Sequence, residues 1–185
     1  MADSAFWIAS LTAGTAVLAS WVTSRGTARA ARIQADTSAG AQRVERLREA
    51  RRTAYAEFIE QAQRLSDVYW KVSELYRGAA GGLGPEHVEE LRRLRERQRD
   101  EYGTLRHRTW IVSLEGPDEV AELANAVRRA TNPFYRALEA MIDGDADADA
   151  GAGADAFGRF DAAYGPFWQA LKDFIKASRD TLHTM

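Results

Sequence analysis

The chain has no cysteine among its 185 residues, which excludes disulfides, thiolate metal ligands and cysteine nucleophiles. Proline is nearly absent: Pro85, Pro117, Pro133 and Pro166 are the only four, so long stretches contain no residue that would break a helix. Lysine is scarcer still, three against 22 arginines, a bias that a GC-rich genome produces without any functional demand. The net charge of −2 excludes a surface built throughout for nucleic acid. β-branched residues are sparse, and no strand-like alternation of useful length occurs. No GxSxG, P-loop or GxGxxG is present. His87, His107 and His183 stand far apart, with no carboxylate or second histidine at helical metal spacing. These absences predict a non-enzymatic protein that needs neither cofactor nor metal.

What is present begins with an uncharged segment. Residues 4–24 carry no charged side chain. As a helix they would extend about 31 Å at ~1.5 Å per residue, enough to cross a hydrocarbon core of about 30 Å. Trp7 and Trp21 lie near the two ends, where indole rings favour the headgroup region. Phe6, Ile8, Leu11, Val17, Leu18 and Val22 supply the apolar surface, diluted by serine, threonine and glycine. Arg25, Arg29 and Arg32 follow, then five more arginines up to Arg52, against three acids in the same stretch. The excess of positive charge places the N-terminus outside and the remainder in the cytoplasm, with the arginines close to anionic headgroups. A cleaved signal peptide, a core helix of a soluble protein and an interfacial helix are the alternatives. The first lacks the positive charge expected before the apolar run, since only Asp3 stands there. The last would gather its polar residues on one face, which this segment does not do. Rows of small residues at four-residue spacing (Ala5, Ala9, Ala13; Thr12, Ala16, Ser20) would let two such helices approach and self-associate.

Beyond the segment, helical periodicity dominates. Tyr55, Phe58, Ala62, Leu65, Tyr69, Val72 and Tyr76 recur alternately three and four apart, a heptad seam suited to partner helices. The glycines of residues 78–84 end that helix. Pro85 opens a second helix from a first-turn position, with Val88, Leu91, Leu94, Tyr102, Leu105, Val112 and Leu114 as its apolar face. A third starts at Pro117, presents Val120, Leu123, Val127, Phe134, Leu138 and Met141, and should kink or break at Pro133. A last helix carries Phe157, Phe160, Tyr164, Phe167, Leu171, Phe174 and Leu182, with a bend at Gly165-Pro166. The predicted fold is all-α: an N-terminal transmembrane helix followed by an antiparallel bundle of about four helices. Residues 1–24 form the anchor, 25–43 a basic juxtamembrane segment and 44–185 the bundle, with flexible linkers near 78–84 and 143–156. A break in the first long helix is expected near residues 36–40.

Three motifs invite chemistry. Asp143, Asp145 and Asp147 match the first positions of a calcium loop, but Ala148 and Ala154 stand where its turn glycine and bidentate glutamate belong. Arg92, Arg95, Arg99 and Arg106 share a helical face and could track phosphates, although Glu96, Asp100 and Glu101 interleave with them. The cluster of Phe157, Phe160, Phe167 and Trp168 could enclose a small molecule in the bundle core, although an aromatic stripe at this spacing is more often core.

The run Arg51-Arg52-Thr53-Ala54-Tyr55-Ala56-Glu57-Phe58, placed after a short span and a basic stop, resembles a recurrent type of small single-pass membrane protein of high-GC Gram-positive bacteria. It also resembles, more loosely, the Kil/Spd-type membrane-anchored transfer and spread proteins of conjugative plasmids. The resemblance covers about residues 5–75, implies a non-enzymatic accessory to plasmid DNA transfer, and assigns no functional residue. The residues therefore predict a membrane-anchored interaction or scaffold protein with a cytoplasmic domain, whose seam (Tyr55, Phe58, Leu65, Tyr69, Val72) meets a protein partner or a second copy. A membrane-tethered nucleic-acid accessory and a ligand-sensing bundle are the alternatives.

Overall fold

With little proline and apolar residues three and four apart, helix is the state that satisfies both the backbone and the core. A computed structural model describes residues 2–79, 83–144 and 150–184, with side chains described at 29, 32–79, 83–143 and 153–184. Six helices occupy them: α1 (Ala2–Gly78), α2 (Pro85–Glu115), α3 (Asp118–Ala130), α4 (Asn132–Gly144), α5 (Ala150–Ala162) and α6 (Tyr164–His183). No strand occurs among the described residues. The chain divides into two units, Met1–Arg46 and Leu47–Met185.

In the first unit the backbone is helical throughout its described part. Residues 4–24, expected to cross a membrane, lie outside the residues whose side chains are described, as do Trp7, Trp21 and Arg25. Among the described residues no helix is long and apolar enough to cross a membrane. Arg29 and Arg32 are exposed. The break expected near residues 36–40 is absent, because α1 runs straight through. Thr37 turns its hydroxyl onto the Ile33 carbonyl at 2.8 Å, a bond made within the helix. Gly40 alone costs about 1 kcal/mol, too little to stop a helix that contains no proline.

The second unit is a four-arm bundle. Thr131 alone separates α3 from α4, and Ala163 alone separates α5 from α6. Both breaks have the same cause: Pro133 and Pro166 cannot donate to the carbonyls of Arg129 and Ala162 four residues back. The arms are the end of α1, then α2, α3–α4 and α5–α6. Neighbouring arms run antiparallel. Arg51 of α1 donates to the Glu115 carbonyl at the far end of α2, Glu57 meets Arg108, and Gln61 reaches Glu101. On the other side Tyr55 meets Phe174, Tyr69 meets Phe167 and Tyr76 stacks on Phe157. Arg128 of α3 contacts Tyr102, and Arg95 of α2 faces Glu139 of α4.

The heptad seam of α1 forms the centre of this core. Tyr55, Phe58, Leu65, Tyr69 and Val72 are all buried, and the helices they meet belong to this same chain. Tyr69 stacks on Phe134 with ring centroids 3.9 Å apart, while Phe160 and Phe167 stand edge-on to it at 5.9 Å. The seam is thus filled within the bundle and leaves no free surface for an external partner helix. The same rings close the aromatic cluster expected as a ligand pocket: Phe160 and Phe167 are fully buried against Phe134 and Tyr69, and Trp168 lies 39 % exposed at the edge. Leu114 is the exception on α2, 82 % exposed. It stands two residues past buried Val112, about 200° around the helix at ~100° per residue.

Helix ends follow local chemistry. Pro85 occupies the first turn of α2 and the Gly84 N–H donates to His87 Nδ1 at 3.3 Å. Asp118 and Glu119 open α3, and Arg128 and Arg129 close it, charges placed as the helix dipole favours. Helix covers both ends of the stretch expected as a linker at 143–156, since α4 extends to Gly144 and α5 starts at Ala150. Residues 145–149 lie outside the described residues.

Candidate functional site

The arginine row of α2 is divided by its neighbours. Arg92 pairs with Glu89 at 3.6 Å and Arg95 with Glu139 at 3.9 Å, whereas Arg99 and Arg106 are exposed with no carboxylate within 4 Å among the described residues. The four do not form one cationic track. Of the calcium-like tract, Asp145, Asp147 and Ala148 lie outside the described residues, and Ala154 belongs to α5. Among the described residues no group of three or more histidine, aspartate or glutamate side chains is placed to hold a metal ion. His87 caps α2, and His107 and His183 are exposed.

One of the two helix breaks in the core lies where α3 gives way to α4. Thr131 spends its N–H and its hydroxyl on the Arg128 carbonyl, at 3.3 and 2.7 Å. The chain then restarts at Asn132-Pro133. The step opens a cavity of about 270 Å³ between three arms, lined by Tyr69 of α1, by Gln98, Arg99 and Tyr102 of α2, and by Thr131, Asn132 and Tyr135. Tyr69, Gln98 and Thr131 are each at most 2 % exposed, so they form its floor. Arg99 and Asn132 are exposed at its mouth. On the far side of Asn132 a second hollow is lined by Arg129, Arg136 and Arg159.

Two polar atoms at the floor have no hydrogen-bond partner: the Tyr69 hydroxyl oxygen and Gln98 Oε1. Burial pushes the Tyr69 phenol far above its ordinary range; Gln98 and Thr131 lie near enough to offset this only in part. Tyr55 and Tyr164 are also raised by burial, eased by Arg51 in the first case and by the Ser73 hydroxyl in the second. At neutral pH the phenols are therefore neutral hydrogen-bonding groups rather than bases or nucleophiles. A buried polar atom without a partner costs about 1–3 kcal/mol, and the floor of this cavity holds two of them.

Periodicity alone does not reveal this cavity, but one signal for it exists. Leu91, Gln98, Leu105 and Val112 recur every seven residues on α2 and all are buried. Gln98 is the polar member of an otherwise apolar row. Comparison of the chain with protein-family models, with curated proteins and with solved structures finds no match.

Proposed function

We propose that this chain is a non-enzymatic interaction protein, held at a membrane by residues 4–24 with its four-arm bundle on the cytoplasmic side. The observation that carries the tether is the break in charge: none across residues 4–24, then eight arginines against three acids in residues 25–52. That asymmetry is what retains the basic side of a span in the cytoplasm. The interaction role moves from the seam, which the bundle buries, to its outer faces. Trp70 is 55 % exposed, Trp110 67 % and Trp168 39 %. Tryptophan is enriched at binding hot spots; Trp168 also stands edge-on to the core ring Phe167 at 5.8 Å, so Trp70 and Trp110 are the more exposed candidates.

A nucleic-acid role would rest on Arg99 and Arg106, the members of the row without a carboxylate beside them, and predicts binding that weakens steeply with salt. A setting in plasmid transfer or spread rests on the resemblance alone. Membrane fractionation with an alkaline carbonate wash tests the tether. The full chain is expected in the pellet, and Leu11→Arg combined with Val17→Arg should release it, since each charge at mid-span costs about 3 kcal/mol. Release of the unaltered chain into the soluble fraction would refute the proposal.

A further inference from the structure

We infer that the hollow on the far side of Asn132 is a binding site for the phosphate group of a small phosphorylated molecule. The site depends neither on the membrane tether nor on the cavity beside Tyr69, and it goes beyond the interaction role proposed above.

Three helices each bring a guanidinium to this hollow. Arg129 comes from the last turn of α3, Arg136 from α4 and Arg159 from α5. Like charges gathered in this way repel one another unless something balances them. Glu122 lies 4.0 Å from Arg129, and Asp155 pairs with Arg159, but neither acid lines the hollow. Arg136 is exposed and has no carboxylate within 4 Å among the described residues. Glu139, one turn further along α4, faces Arg95 at 3.9 Å instead. Asn132 also lines the cavity on its other side, where Arg99 is a second arginine without a carboxylate. No acidic side chain lines either opening.

Arginine forks match phosphate oxygens in pairs, and a phosphate monoester carries about two negative charges at neutral pH, where a carboxylate carries one. Forks that converge from three helices suit one compact, highly charged group. A nucleic-acid backbone spreads its charge along a line, and the arginine row of α2 that would extend the site is divided by Glu89 and Glu139. The hollow measures about 540 Å³. A lone phosphate, comparable to a few waters at ~30 Å³ each, would leave most of it empty, so the group enters attached to a body. Asn132 offers that body an amide, beside the small apolar surfaces of Pro133 and Ala137. These contacts suit a hydroxyl-bearing body, as in a nucleotide or a sugar phosphate.

The probes are ADP and glucose 6-phosphate, titrated calorimetrically into the full chain in non-ionic detergent micelles with the heat of empty micelles subtracted. Adenosine and glucose are the phosphate-free comparisons. The salt is near physiological, so that charges beyond about 8 Å are screened. Saturable binding of at least one phosphorylated probe is expected, with its phosphate-free counterpart weaker by about tenfold or more, and the tighter of the two probes identifies the body. Arg136→Gln should weaken that binding by about tenfold or more, because a charge-assisted contact is lost. Arg92→Gln removes the same charge from the exposed face of α2, beside Glu89, and should change it by less than about twofold. Both variants should melt as the unaltered chain does, since both side chains are exposed. No saturable binding of either probe would overturn the inference. An equal loss in the two variants would also overturn it, because overall charge and not this hollow would then hold the probe. Duplex DNA that displaces the probes, and whose own binding Arg136→Gln weakens, would overturn it by making the hollow part of a backbone contact.

Discussion

Removing the Tyr69 hydroxyl should make this protein more stable. In most cores a tyrosine-to-phenylalanine change deletes a formed hydrogen bond and costs about 1 kcal/mol. Here the hydroxyl is fully buried and has no partner. A hydroxyl buried without compensation costs about 1–3 kcal/mol in proteins. The ring itself is held by stacking on Phe134 at 3.9 Å and by Phe160 and Phe167 edge-on, contacts that phenylalanine keeps. Gln98 and Thr131 lie near enough to ease the burial of the hydroxyl in part, which holds the gain to the lower end of that range. The net expectation for Tyr69→Phe is a gain of about 1 kcal/mol, or a rise in Tm of about 3–4 °C for a unit of this size. The assay is a thermal melt followed by near-ultraviolet circular dichroism, which reports ring packing rather than the helix of the first unit. Tyr135→Phe, half-buried at the cavity wall, is the control and should change stability by less than about 0.5 kcal/mol. If Tyr69→Phe instead loses 1 kcal/mol or more, the hydroxyl is bonded in solution, and the case for an unfilled polar floor fails.

Three further outcomes follow from the same core. Phe134→Ala should cost about 3–5 kcal/mol in chemical denaturation, since the ring is fully buried at the crossing of four others. Stability should decline with alkali. The Tyr55, Tyr69 and Tyr164 phenols are raised above their ordinary 10.0 by burial, so above about pH 10 the unfolded chain releases protons that the folded chain retains. The slope of stability against pH is then negative, and it should be shallower in Tyr69→Phe. Two glycines should respond oppositely to alanine: Gly103, inside α2 with nothing within 4 Å of an added Cβ, should gain about 1 kcal/mol, whereas at Gly116 the Cβ would come within 2.8 Å of the Tyr55 hydroxyl and 2.9 Å of the Val112 carbonyl, and thermal melts should show a loss.

The bundle is readable in the sequence because its signals are periodic. Tyr55, Phe58, Leu65, Tyr69 and Val72 recur at heptad spacing and are all buried, and Val120, Val127, Phe134, Leu138 and Met141 lie on one buried face. Spacing says which face is buried but not against what. A seam that would fit an outside helix and a seam filled by the chain's own α2, α4 and α6 read the same. The helix breaks at Pro133 and Pro166 are legible because a missing N–H acts on the carbonyl four residues earlier, wherever the helix packs. The continuity of α1 through Gly40 is not, because a cost of about 1 kcal/mol is decided by the rest of the helix. The cavity is the least legible feature. It depends on three arms that meet only after folding, and its one trace in the sequence is Gln98 in the row of Leu91, Leu105 and Val112.

The absence of cysteine makes topology directly measurable. Single cysteines introduced as Ser4→Cys and Thr184→Cys can be probed in intact cells with a maleimide that does not cross membranes. The account predicts that the first is labelled from outside and that the second, exposed beyond the end of α6, is labelled only after lysis. Labelling of Thr184→Cys in intact cells, or protection of both sites until lysis, would contradict an N-out anchor with a cytoplasmic bundle.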